Sequence, residues 1–77
     1  MNIKHAQYML TVMQEGSITA AAKKLYISQP SLSQMIKLVE NNLGTAIFNR
    51  STDPITLTYA GEKYIEAAKQ ILTINNN

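Results

Sequence analysis

The stretch SQPSLSQMIKLVENNLG, residues 28–44, reads as one complete helix with a start signal, a stop signal and two chemically different faces. Ser28 can accept an amide of the first turn, Pro30 fits a first turn where its missing donor costs nothing, and Gly44 supplies a left-handed stop. At about 100° per residue, Leu32, Ile36, Val39 and Leu43 share one narrow sector, with Pro30, Ser33, Gln34, Lys37 and Asn41 opposite. A solvated surface helix is usually laced with Glu and Lys, whereas this outer face is polar and nearly uncharged. Its Gln, Ser and Asn groups both donate and accept hydrogen bonds, as the reading of base edges requires. A plain polar surface helix fits the same pattern, so the flanking segments decide.

On the amino-terminal side, Tyr26, Ile27 and Ser28 form a brief connection to a short helix that Ser17 can cap. Ile18, Ala21, Ala22 and Leu25 make its inner side. Before Gly16, the residues Ile3, Ala6, Met9, Leu10 and Met13 recur at helical spacing over residues 2–15, with Asn2 as a cap. His5 reads as an ordinary surface or packing histidine, and the methionines read as core filling. A helix, a short helix, a tight turn and a helix with an uncovered polar face form the helix-turn-helix order.

On the carboxyl-terminal side, residues 45–50 and 55–57 carry β-forming side chains, separated by the turn formers Ser51, Thr52, Asp53 and Pro54. They predict a two-stranded wing whose Ile47, Phe48, Ile55 and Leu57 close the core. Thr58 can cap a last helix from Tyr59 to about Ile74. That helix carries two apolar seams: Ala60, Tyr64, Ala67, Ile71 and Ile74 in a 4-3-4-3 spacing, and Ile65, Ala68 and Leu72 beside it. One seam suffices for the core and leaves the other for a partner; a single wide stripe wrapped onto the core is the alternative.

Composition narrows the function classes. Seventy-seven residues make one small domain, and 45% apolar with 16% charged residues is a globular balance. With no cysteine and a single histidine, disulfides and thiolate or histidine metal sites are excluded within the chain, and no metal or cofactor is expected. Nothing resembles a nucleophile, base or metal cluster, so the chain is not read as an enzyme. A net charge of +2 and a pI near 9.0 permit an anionic partner without demanding one. The apolar runs are too short for a bilayer and no signal segment opens the chain, which leads to an expectation of a cytoplasmic protein without a membrane partner.

Taken together, Gly16, Ser17, Ala21 and Ala22, then Ser28, Gln29, Pro30, Leu32 and Ser33, then Glu40, Leu43, Gly44, Phe48, Arg50, Leu57, Thr58 and Gly61 resemble the amino-terminal DNA-binding domain of LysR-type transcriptional regulators. The likeness covers essentially the whole chain. It implies a mainly α fold: a winged helix-turn-helix with a three-helix core, a two-stranded β wing and a long C-terminal linker helix. Residues 1–58 would form the DNA-binding domain and 59–77 a linker and dimerisation helix that stops before any effector domain. A small-molecule inducer would act only through that absent domain, so the chain resembles an excised domain or a naturally short relative. A bacterial, nucleoid-associated location in the cytoplasm follows from the same likeness.

The resemblance implies residue roles on double-stranded DNA. Gln29, Pro30, Ser33 and Gln34 are expected to read bases, and Ser28, Ser31, Lys37, Arg50 and Lys24 to meet phosphates. Tyr64, Ala67, Ile71 and Ile74 would join two copies into a homodimer. Gln34 stands where many relatives carry arginine, exchanging a partner for guanine O6 and N7 for one suited to adenine N6 and N7. Ser51, Thr52, Asp53 and Pro54 replace a basic wing tip, and Asp53 opposes phosphate contact. A winged helix used only for protein contact, without DNA readout, is the competing function.

Overall fold

In the computed structural model, which describes residues 2–75 and side chains through Thr73, the predicted starts and stops act as such. Helix α1, Ile3–Glu15, begins where Asn2 Oδ1 accepts from the amides of Lys4 at 2.8 Å and His5 at 3.3 Å. Helix α2, Ile18–Leu25, starts on Ser17, whose Oγ accepts from the Ala20 amide at 3.1 Å. Helix α3, Gln29–Leu43, starts on Ser28 with Pro30 in its first turn and ends at Gly44. Helix α4, Tyr59–Asn75, starts where the Gly61 amide donates to Thr58 Oγ1 at 2.9 Å.

The wing is shorter than the sequence pattern predicts. Strands β1, Phe48–Asn49, and β2, Thr56–Leu57, pair antiparallel with Phe48 opposite Leu57 and Asn49 opposite Thr56. Arg50 lies past the end of β1. Steric fit locks the base of the wing to the first interhelical turn: the Ile55 amide donates to the Gly16 carbonyl at 2.9 Å. Gly16 has a left-handed φ of 67°, and a Cβ there would stand 2.8 Å from Pro54 Cβ, so only glycine satisfies both the turn and the contact.

The core joins Met9 and Val12 of α1, Ala21 of α2, Leu32 and Ile36 of α3, and Ile47 before the wing, all fully buried. Helix α4 is part of this core, supplying Tyr64, Ile65 and Ala68. Two expectations need correction. Leu43 is 47% exposed because it sits at the last turn of α3, where it borders open concavities shared with Asn2 and His5 on one side and Tyr59 on the other, so the narrow inner sector ends at Val39. Tyr64 belongs to the core and not to a free seam: it is 8% exposed and lies on the same arc of α4 as Ile65 and Ala68. The residues that flank this arc are the half-buried Ala60, Ala67 and Ile71. The side chain of Ile74 lies outside the described residues.

Candidate nucleic-acid interface

Burying Leu32, Ile36 and Val39 turns the opposite side of α3 outward, and this side holds nearly all the base-reading candidates. Gln29, Pro30 and Gln34 are exposed and Ser33 is half-buried. Two hydrogen bonds order the first turns: Ser28 Oγ donates to Ser31 Oγ at 2.7 Å and Gln29 Nε2 donates to Ser33 Oγ at 2.8 Å. The second links residues one helical turn apart and fixes the Gln29 side chain while leaving its amide oxygen and second N–H for a ligand. Gln34 stands in solvent on the next turn.

The basic candidates fall into two groups. Lys37 and Arg50 line one polar concavity of about 470 Å³, together with Glu40, Asn41, Gly44, Thr45 and Ala46. Lys24 stands apart on α2, where its Nζ is 3.4 Å from Glu15 Oε2, with 63% of its side chain exposed. Such an exposed pair contributes little to stability, so the lysine exchanges carboxylate for another anion at small cost. Asp53 is exposed in the wing turn.

Glu40 is the functional residue that sequence reasoning left without a role. Its Oε2 accepts from the Ile47 amide at 2.7 Å and the Phe48 amide at 3.4 Å, while Oε1 lies 3.4 Å from Arg50 Nη2. The carboxylate therefore ties the end of α3 to the start of the wing and holds Arg50, whose side chain remains 46% exposed, beside Lys37. Helical periodicity carries no such signal, since these contacts span 7, 8 and 10 residues across a turn.

A second concavity, of about 500 Å³ and almost wholly apolar, lies where the end of α3 meets the start of α4. Leu43, Tyr59, Ala60, Ala67 and one edge of Tyr64 line it. Of the four residues expected at a subunit contact, Tyr64 and Ala67 thus border one groove, and Ile71 continues the half-buried flank along α4. Among the described residues no helix is long and apolar enough to cross a membrane.

Residues 3–62 match the family model described as "Bacterial regulatory helix-turn-helix protein, lysR family". The chain is 44% identical over 73 residues to the HTH-type transcriptional regulator BsdA of Bacillus subtilis (strain 168), covering 94% of this chain and 25% of that protein. It is 43% identical over 76 residues to the HTH-type transcriptional regulator BudR of Klebsiella aerogenes, covering 99% of this chain and 53% of that protein. The chain therefore spans between a quarter and about half of the length of these curated relatives. Among solved structures, the BenM DNA-binding domain in complex with catB site 1 DNA superposes with a TM-score of 0.92 at 34% identity, covering 99% of this chain and 85% of that one. The CbnR DNA-binding domain in complex with DNA gives 0.89 at 34% identity, covering 99% and 87%.

Proposed function

Because this chain belongs to the lysR family of bacterial regulatory helix-turn-helix proteins, we propose that it binds double-stranded DNA sequence-specifically, with α3 in the major groove, as the DNA-binding domain of a transcriptional regulator. The observation that carries this reading is the outer face of α3, where exposed, uncharged donor and acceptor groups stand next to a concavity holding Lys37 and Arg50. Gln29, Pro30, Ser33 and Gln34 read base edges, and Ser28, Ser31, Lys37, Arg50 and Lys24 hold phosphates. The uncharged Gln34 biases the site toward adenine where an arginine would select guanine. Cytoplasmic location and the absence of catalysis follow from this role.

Selection from a random duplex pool followed by titration tests it. Gln34→Ala is expected to relax preference at one or two base pairs at a cost of about 1–3 kcal/mol, while Lys37→Ala weakens all duplexes alike. A wild-type chain that retains no duplex at low salt would instead favour the protein-contact reading, as would a Gln34→Ala chain that selects the same site with the same affinity.

The same reading extends to assembly. One helix-turn-helix contacts too few base pairs to define a unique site, so two copies acting on paired half-sites fit the function. The flank of α4 formed by Ala67 and Ile71, continuous with the groove bordered by Tyr64, is the surface proposed to meet the second copy. Ile71→Asp is expected to leave the monomer folded, since Ile65, Ala68 and Leu72 still face the core, and to remove cooperative occupancy of a duplex with two half-sites. Sedimentation and duplex titration measure both; a variant that still dimerises and fills both half-sites together places the contact elsewhere.

A further inference from the structure

Among the described residues Tyr26 is the one non-glycine residue with a positive φ, at 58°, and it is 95% exposed. A bulky side chain in this region is strained, and glycine or asparagine would close α2 more cheaply. Burial does not repay the strain, because the ring stands in solvent. The left-handed backbone serves to close α2, but that turn does not need a large aromatic and the fold does not bury the ring, which leaves the ring available to a ligand; the position of this residue indicates which ligand.

The backbone around Tyr26 is held from both sides. Its amide donates to the Lys23 carbonyl at 3.2 Å, the next amide, of Ile27, donates to the Ala22 carbonyl at 3.1 Å, and the Ile27 side chain packs against the core. The ring therefore projects from a rigid corner two residues before Ser28, the cap of α3. Exposed Lys23 and Lys24 precede it, and exposed Ser28 and Gln29 follow. An element that enters the major groove by its amino-terminal end brings the preceding turn against the sugar-phosphate backbone. A phenol at that place offers a hydroxyl donor to a phosphate oxygen and an apolar face to deoxyribose.

We propose that Tyr26 is a DNA-backbone contact whose hydroxyl donates to a phosphate flanking the site read by α3. This rests on the proposed docking of α3 on DNA. Tyr26 removes no charge from the duplex, so its contribution has a signature that distinguishes it from the lysines. Losing it lowers affinity for every duplex without changing the salt dependence.

The test uses the whole chain with two probes, a duplex selected by the wild type and an unrelated duplex of equal length. Tyr26→Phe is expected to weaken both by about tenfold with an unchanged salt slope, while Lys37→Ala reduces the slope by about one. Tyr26→Asn is expected to bind at least as weakly as Tyr26→Phe while melting no lower than the wild type, since it relieves the strained backbone. A Tyr26→Phe chain that binds both duplexes like the wild type overturns the inference. So does a loss confined to the selected duplex, or a Tyr26→Asn chain that melts lower, which would make the residue structural. A wild-type chain that binds neither duplex overturns the DNA reading itself.

Discussion

Gly61→Ala is expected to destabilise the fold by about 3 kcal/mol or more, a large part of the roughly 4–12 kcal/mol that a chain of this size has at its disposal. Helix α4 crosses the segment before the wing at this glycine with no room for a side chain. An added Cβ would fall on the Ile47 carbonyl oxygen, far inside contact distance, and would meet Ile47 Cγ2 at 3.2 Å. Neither neighbour can give way. The Ile47 carbonyl already accepts from the Thr58 amide at 3.0 Å, and its side chain is fully buried. Moving α4 outward would break the cap, because Thr58 Oγ1 donates to the Ala46 carbonyl at 2.6 Å and accepts from the Gly61 amide at 2.9 Å. Denaturant titration with circular dichroism measures the loss; a stability within about 1 kcal/mol of wild type would mean that the crossing is looser than its geometry indicates.

Glu40→Ala is expected to cost about 2–4 kcal/mol of folding stability, mostly through the amides of Ile47 and Phe48. Those two donors would lose a charged acceptor whose side chain is only 15% exposed, at a place where water enters poorly. The Arg50 pair, about half exposed on the arginine side, adds little to stability. Its effect lies on the interface: without the carboxylate Arg50 is no longer held beside Lys37, so every duplex binds more weakly while base preference stays the same. Glu40→Gln keeps an oxygen for the Ile47 amide and is expected to recover most of the stability but not the hold on Arg50. Parallel unfolding and duplex titrations separate the two roles, and equal recovery of both by glutamine would show that charge at this position is immaterial.

The helices were legible because their boundaries are local. Asn2, Ser17, Ser28 and Thr58 accept amides two or three residues ahead, and sequence spacing carries that information directly. The outward face of α3 followed from its period, and the membership of Leu32, Ile36 and Val39 in the core came with it. What the sequence left open depends on the tertiary crossing of elements. Tyr64 fits either apolar seam of α4 by spacing, and only the packing of α4 on α1 assigns it to the core. Leu43 shares the phase of Ile36 but borders open concavities at the last turn of the helix and is left exposed. The wing shrank to two residues per strand because the Ile47 amide takes a carboxylate, Glu40, as its partner instead of an opposing strand. Pro30, Ser33, Gln34 and Lys37 were placed on one side by periodicity alone, whereas the joining of Arg50 to Lys37 needed the fold.

The burial of Tyr64 has a consequence for alkaline conditions. Among the described residues no ionised side chain is buried in the core, and the one titratable group buried there is this phenol, whose pKa is raised above its ordinary value by desolvation. The folded chain therefore holds the proton more tightly than the unfolded chain does. This preference costs nothing while both states stay protonated, below the ordinary tyrosine value of 10.0. As the pH climbs past that value toward the higher folded value, the unfolded chain releases its proton first and gains relative to the fold. The packing of α4 against α1 thus carries its own titratable weak point, inactive at neutrality and opposed to folding only in strong base.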